Sequence, residues 1–330
     1  MPKSIQAAEL MDHLATIAGD LNRVESWIQA QLQPEDPRLA PLLEHAARFR
    51  GKRLRAAQVL LVGQACERIT QEHVAVAGII ELIHAATLIH DDLLDEAQKR
   101  RGLDCLHVEW GSHSSVLLGD WIYARAFLRS TEMDDRTCSR VLAEATAAVC
   151  RGEIHQNLTR TDFALAEADY LAQIDGKTAA LYEAGGRLGA YYAGATDELQ
   201  SACARHGLLA GRAFQIVDDV LDLVGVEQRV RKSLGTDWER GKLTLPVIRL
   251  RDRLPSGARA RLAALFRDGV GRAELLQGEF GPALRESAEE CRSEAASWLA
   301  ESARALAPLP DNDARRALLE LTRFLGTREH

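Results

Sequence analysis

Apolar residues recur at three- and four-residue spacing along most of this chain. The pattern is clearest over Arg55–Glu67, Val74–Asp95, Ser115–Arg129, Arg136–Gln156 and Leu208–Val224, and it predicts a helix over each. Alanine and leucine fill most of the apolar positions, and both are strong helix formers. Pro34-Glu35-Asp36-Pro37, Arg101-Gly102, Gly111, Pro255-Ser256-Gly257 and Pro308-Leu309-Pro310-Asp311 punctuate the pattern as turns. Period-two alternation of β-branched residues is absent, so no strand is expected. A chain of 330 residues could make two domains. No Gly-, Ser- or Pro-rich linker divides it, however, and the pattern predicts one large all-α domain over 1–330. The segment after Leu254, rich in Arg, Glu and Ala, is expected to form peripheral helices (255–330) with solvated faces.

Composition narrows the picture. With 46% hydrophobic and 27% charged residues the chain has globular proportions. A net charge of −7 argues against a nucleic-acid partner, which calls for a basic footprint. The most apolar stretch, Val74–His90, contains Glu81 and His84, so no membrane span is expected. Met1-Pro2-Lys3, followed by Glu9, Asp12 and His13, lacks the apolar core of a signal peptide, and a cytoplasmic location is expected. Six cysteines without a Cys-x-x-Cys pair read as buried reduced thiols rather than a zinc site or a disulfide framework.

The chemistry concentrates in two acidic clusters. In His90-Asp91-Asp92-Leu93-Leu94-Asp95, a helix would put Asp91 and Asp95 on one face with Asp92 beside them. Like charges at this spacing destabilise a bare helix by ~0.2–0.5 kcal/mol per pair, and an apolar flank raises that cost. A divalent cation removes the conflict, and hard oxygen ligands in small number suit Mg²⁺, which completes its shell with water and substrate phosphates. The arrangement recurs with Asp218, Asp219 and Asp222 in a second apolar helix. Two such clusters facing each other across a helical bundle would hold several ions, and through them a polyanion. Cationic residues accompany both: Lys52, Arg53 and Arg55, then Arg100-Arg101, then Lys177, Lys232 and Lys242. Arginine offers a fork for phosphate oxygens and lysine a point charge.

With these motifs in this order, the chain resembles the trans-prenyltransferases, the polyprenyl diphosphate synthases of the octaprenyl kind. The resemblance runs from about Gly51 to Pro246, within a motif-bearing core of about 45–250. It rests on Gly51-Lys52-Arg53-Leu54-Arg55, Leu88-Ile89-His90-Asp91-Asp92-Leu93-Leu94-Asp95 through Arg100-Arg101-Gly102, and Leu118-Gly119-Asp120. Gly176-Lys177-Thr178-Ala179, Phe214-Gln215 with Asp218-Asp219-x-x-Asp222, Lys232-Ser233-Leu234-Gly235-Thr236-Asp237 and Gly241-Lys242-Leu243-Thr244-Leu245-Pro246 complete it. Two departures stand out: Ala56 where the family usually has proline, and Arg240 where glutamate is common.

The resemblance implies a helical bundle of the isoprenoid synthase type with a central hydrophobic cavity. It implies Mg²⁺ as cofactor, three ions per active site, with Mn²⁺ able to substitute. Asp91, Asp95 and Asp218 would be the metal ligands, supported by Asp92, Asp219 and Asp222, and Lys177 joins the aspartates as a catalytic group. Arg100, Lys177, Thr178, Gln215, Lys232 and Lys242 match contacts to the allylic diphosphate, and Lys52, Arg55, His84 and Arg101 those to isopentenyl diphosphate. The implied reaction is ionisation of the allylic diphosphate, attack by the double bond of isopentenyl diphosphate, and loss of a proton. A homodimer is implied, with the helix over Ser115–Arg129 as part of its interface.

Three other functions compete. A class I terpene cyclase would not need Lys52, Arg55 and His84. A di-iron bundle would need a second Glu-x-x-His besides Glu81-Leu82-Ile83-His84. A non-catalytic partner subunit would be expected to have lost aspartates, and none is lost. Within the prenyltransferase reading, Thr87 and Ala86 lie about one helical turn before Asp91, ~6 Å along the axis at 1.5 Å per residue. In the resembling family, short-chain enzymes often carry an aromatic ring there. Small side chains at both positions would let a growing product pass towards Ile83. The expected product is all-trans with about six to ten isoprene units, to be delivered to a membrane. A ring at Trp121 or Phe127 could still block the path, so geranylgeranyl or farnesyl diphosphate synthase remains the alternative.

Overall fold

The structure, a computed structural model, describes residues 14–34, 36–48, 51–100, 102–133, 135–225, 235–267 and 272–326. Fifteen α-helices order these residues: α1 (Ala18–Gln31), α2 (Ala40–Arg48), α3 (Leu54–Ala65), α4 (Gln71–Leu94), α5 (Leu106–Trp110), α6 (Ser112–Thr131), α7 (Arg136–Leu158), α8 (Glu167–Ile174), α9 (Ala180–Tyr192), α10 (Asp197–Val224), α11 (Thr236–Glu239), α12 (Leu245–Arg253), α13 (Ser256–Arg267), α14 (Arg272–Ala305) and α15 (Asp313–Gly326). One turn of π-helix, Asp175–Ala179, joins α8 to α9. The sequence pattern gave no strand, yet β1 (Lys99–Arg100) pairs antiparallel with β2 (Leu103–Asp104). Gly102 at φ +82 makes the turn that the Arg101-Gly102 break only hinted at.

The chain forms two compact units, each drawn from separated segments. One comprises the described residues within Met1–Thr146, Ala184–Ala204 and Leu306–Leu321. Its organising element is α4, which packs against α1, α3 and α6. Val74, Val76, Ala77, Ile79, Ile80, Leu82 and Ile83 are all buried, so this helix is apolar around its circumference because neighbours enclose it. By length and composition it could cross a membrane, but 67% of its apolar window is buried inside the protein. It starts at Thr70, whose N–H donates to His73 Nδ1 at 3.1 Å, while His73 Nε2 donates to the Gly189 carbonyl at 2.9 Å.

The other unit comprises described residues within Ala147–Glu183, Arg205–Ala305 and Thr322–His330. Its core gathers Tyr170, Ile216, Val220, Trp238, Ile248, Phe266 and Leu284, with the Trp238 and Phe266 rings 4.8 Å apart. Here α14 differs from a peripheral solvated helix. Leu276, Phe280, Leu284, Ala288, Cys291 and Ala295 form a buried stripe at helical spacing. Its small residues were hidden among Arg and Glu in the linear pattern. The cysteines also differ in part from the expectation: all six are free thiols, but Cys150 is exposed and Cys66 half-buried.

Candidate active site

The first acidic cluster forms where α4 ends. Asp95 caps the helix, and its N–H donates to the Asp91 carbonyl at 2.8 Å. Helical spacing therefore persists, and the half-buried Asp91 and Asp95 stand one turn apart on one face. Asp92 is buried and accepts a 2.7 Å hydrogen bond from Arg100 Nε on β1. Burial disfavours the Arg100 charge, but Asp92, by hydrogen bond and charge, together with Asp91, holds its pKa above the ordinary value. The buried Cys105 thiol beside them is pushed up to about 12, by burial first and by Asp92 next. The sequence cluster thus divides into an Asp91/Asp95 pair and an Asp92 that anchors the arginine hairpin.

The Gly51–Arg55 motif is tied to the same helix by Glu81. Arg53 is the N-cap of α3 and sits in the left-handed region at φ 53. Its guanidinium reaches Glu25 Oε2 on α1 at 3.1 Å and Glu81 Oε2 on α4 at 3.2 Å. The other Glu81 oxygen accepts the Ala56 N–H at 3.1 Å, satisfying a donor that the first turn of a helix leaves open. Ala56, where the resembling family usually has proline, uses the N–H that proline lacks. Glu81 is buried and serves as an anchor for the start of α3, which explains its place one turn before His84 without any di-iron site. Lys52 is exposed and Arg55 buried at this helix start. Gly51, Arg53, Glu81, His84, Asp92 and Arg100 border a small pocket of ≈ 40 Å³. The structure therefore gathers His84 and Arg100 with the motif that precedes α3.

The second cluster lies on α10, and its three aspartates have different surroundings. Asp219 is 4% exposed, accepts from Tyr170 Oη at 2.6 Å and from Gln215 Nε2 at 2.8 Å. Thr178 Oγ1 in turn donates to Gln215 Oε1 at 2.7 Å. Burial, then the charge of Asp237, drives the Asp219 pKa well above the carboxylate range, against both hydrogen bonds. Asp222 accepts from Thr236 Oγ1 at 2.7 Å and from the N–H groups of Thr236 and Asp237 at 3.2 and 3.1 Å. Its pKa is raised to about 6, by burial and then by Asp237. Asp218 is half-buried between them. Lys242 is buried with its Nζ 4.0 Å from Asp237 Oδ1.

Lys177 and Thr178 belong to the π turn. Two glycines let α7 and this turn meet: a Cβ on Gly152 would lie 2.6 Å from Lys177 N, and one on Gly176 would lie 2.6 Å from the Ala148 carbonyl oxygen. Such single π turns frequently mark functional sites. Lys177 Nζ is held 2.5 Å from Glu153 Oε1 and 3.1 Å from Gln156 Oε1.

Arg101 and Lys232 lie outside the described residues. Among the described residues no three His, Cys, Asp or Glu side chains gather as a metal cage. Sequence reasoning missed Glu81 as an anchor, and missed Tyr170, Glu153 and Gln156; Asp237 stood in a quoted motif without a role. Glu153 and Gln156 are three apart on one helical face, a spacing that was legible; nothing near Tyr170 in the sequence marked it.

Of the chain-length positions, Ile83 and Ala86 are fully buried, and Thr87 is half-buried with its hydroxyl donating to the His84 carbonyl at 2.7 Å. The buried face of α6 consists of Ser115, Leu118, Gly119, Ile122, Ala126 and Ser130, with no aromatic ring. Trp121 is half-buried with the Arg125 guanidinium 5.4 Å from its ring, and Phe127 stacks on Tyr123 at 6.4 Å.

Comparison with known proteins places these features in context. A sequence model described as polyprenyl synthetase matches residues 36–276. Octaprenyl diphosphate synthase from Haemophilus influenzae is 31% identical over 306 residues, 92% of either chain. A decaprenyl diphosphate synthase from Rhodobacter capsulatus has a similar structure (TM-score 0.90, 32% identity), covering 97% of this chain and 99% of that one. A polyprenyl synthase from Caulobacter crescentus, solved with calcium and isoprenyl diphosphate, gives a TM-score of 0.89 at 31% identity over 97% of this chain and 98% of that one. Relatives at 30–33% identity include a geranylgeranyl diphosphate synthase, a nonaprenyl diphosphate synthase and component 2 of a heptaprenyl diphosphate synthase.

Proposed function

Because this chain belongs to the polyprenyl synthetase family of prenyltransferases and has its helical fold, we propose that it condenses isopentenyl diphosphate with an allylic diphosphate to an all-trans medium- or long-chain polyprenyl diphosphate. The observation that carries this reading is the division of labour in the aspartate clusters. Asp91 and Asp95 form a one-turn carboxylate pair, while Asp92 and Asp219 are buried anchors for Arg100 and Gln215.

The metal ligands we assign are Asp91, Asp95 and Asp218. Hard carboxylate oxygens suit Mg²⁺, which needs few protein ligands and takes the rest of its shell from water and phosphate oxygens. The calcium held with isoprenyl diphosphate by the Caulobacter relative supports a divalent ion. Three Mg²⁺ ions per site, with Mn²⁺ as a substitute, belong to the same proposal. The ions would supply Lewis-acid stabilisation of the diphosphate leaving group.

The chain's own residues do the rest. Lys177, Thr178, Gln215 and Arg100 bind and orient the allylic diphosphate, with Lys232 and Lys242 adding charge. Lys52, Arg55, His84 and Arg101 hold isopentenyl diphosphate. Fixed cations and amide dipoles stabilise charge as the C–O bond ionises, an effect of several kcal/mol in a water-poor site. Exclusion of water keeps the carbocation from being hydrolysed. No side chain is assigned as the base; the departing diphosphate takes the proton.

Small side chains at Ala86 and Thr87 favour a product of about six to ten units over geranylgeranyl diphosphate. A single large all-α domain, cytoplasmic and homodimeric, is the assembly we propose. The exposed Val116, Leu117 and Leu128 on α6 suit an isologous contact. Mass spectrometry of products made from isopentenyl diphosphate and a short allylic primer tests the function. Absence of any condensation product defeats it.

A further inference from the structure

The segment that presents Lys177 and Thr178 is braced at both ends through α14. At the start of α8, Glu167 Oε1 accepts from Arg249 Nη2 of α12 at 2.7 Å, and the same guanidinium pairs with Glu294 of α14. The other Glu294 oxygen accepts the indole N–H of Trp298, one turn later, at 3.2 Å. The Trp298 ring lies against the Arg212 guanidinium, 3.7 Å from its centroid. Arg212, on α10, forks onto Asp175 with Nε–Oδ1 2.6 Å and Nη2–Oδ2 2.5 Å. Asp175 opens the π turn, two residues before Lys177. The path thus runs from Glu167 through Arg249, Glu294, Trp298 and Arg212 to Asp175, so both ends of the segment 167–175 are referred to one helix.

A π turn is a short, poorly self-supporting piece of backbone and needs tertiary contacts to keep its shape. A planar guanidinium forked onto a carboxylate and stacked on an indole fixes position and angle together, which a lysine cannot do. From this geometry we infer that Arg212 and Trp298 are positioning residues for the allylic-diphosphate grip. They hold the turn so that Lys177 and Thr178 meet phosphate oxygens in register. The inference rests on the proposed function for its substrate. Neither residue touches substrate in it, and α14 gains a role in binding rather than in core packing alone.

The test compares Arg212→Leu and Trp298→Ala with the conservative Arg212→Lys and Trp298→Phe. Steady-state kinetics are run with each diphosphate varied, and amide hydrogen exchange is followed over 170–180. The disruptive variants should raise KM for the allylic diphosphate about tenfold, with KM for isopentenyl diphosphate within about twofold of wild type. Amides of 175–179 should exchange faster in both. Trp298→Phe should stay near wild type, and Arg212→Lys, which keeps the charge but loses the fork, should fall between. Unchanged KM and exchange in the disruptive variants, or an equal rise in both KM values, overturns the brace. Should either disruptive variant not fold, the near-isosteric Asp175→Asn gives the same two readouts. A wild-type protein that turns over no prenyl diphosphate defeats the functional reading alone, because the exchange measurement still decides the brace.

Discussion

Tyr170 Oη donates a 2.6 Å hydrogen bond to Asp219 Oδ2 in the interior, and both residues are almost fully buried. With Gln215 on the other carboxylate oxygen and Thr178 behind Gln215, this makes a four-residue chain from α8 through α10 to the π turn. Asp219 is therefore an organiser of Gln215 and Thr178. Tyr170→Phe should lower thermal stability by ~1–3 kcal/mol, the cost of leaving a buried polar group short of a partner. It should also raise KM for the allylic substrate. Denaturant unfolding and substrate titration check this; a variant with wild-type stability and KM refutes the network.

Glu81 holds the start of α3 through the Ala56 N–H and Arg53. Glu81→Gln keeps the shape but halves the charge balance around Arg53, whose remaining carboxylate is Glu25. A loss of ~1–3 kcal/mol is expected, below the ~3–5 kcal/mol of an unrescued buried pair. The kinetic defect should fall on isopentenyl diphosphate, since Lys52 and Arg55 flank the anchor. A defect confined to the allylic substrate contradicts the assignment.

Turnover should stop on chelation of divalent ions and return on adding Mg²⁺. Asp91→Ala and Asp218→Ala should each cut kcat by orders of magnitude with the fold retained, as checked by circular dichroism. Robust activity in excess chelator is the outcome that breaks the metal assignment.

His206 is buried against Ser302, and burial pushes its pKa from 6.5 down to about 4 despite a helpful contact to the Ser302 carbonyl. Between those values the unfolded chain binds the proton and the folded one does not. Stability should therefore fall as pH drops from about 6.5 towards 4, by at most ~3 kcal/mol from this group. His73, also shifted down by burial, acts in the same direction. Asp222 and Asp219, raised by burial, act in the opposite sense over this range. The His206 part is therefore read as the difference in unfolding free energy between wild type and His206→Gln, which should shrink as pH falls from about 6.5 to 4. A difference that does not change with pH removes His206 as a source.

The helices, the two aspartate clusters and the family were legible because their signals are local. Three- and four-residue periodicity marks the helices, and Asp-Asp-x-x-Asp marks both clusters. Partners distant in sequence were not legible. Tyr170 is 49 residues from Asp219 and Glu81 is 25 from Ala56, and neither pairing leaves a trace in spacing. The hairpin at Lys99–Asp104 is too short for alternation to reveal. Half of the buried stripe of α14 is alanine and cysteine (Ala288, Cys291 and Ala295), which carry little weight beside its arginines and glutamates. Nor does Asp-Asp-x-x-Asp announce that its second residue turns inward; that depends on Arg100 and Cys105 in one case and on Tyr170 and Gln215 in the other.

Product length tests the central claim most directly. Purified protein with Mg²⁺, isopentenyl diphosphate and farnesyl diphosphate should release all-trans prenyl diphosphates longer than four isoprene units, resolved by mass spectrometry after dephosphorylation. Ala86→Phe, placed at a fully buried position and costing ~1–3 kcal/mol through overpacking, should shorten the product without abolishing condensation. A wild-type product that stops at three or four units, or a length unmoved by Ala86→Phe, contradicts the account of the path along α4.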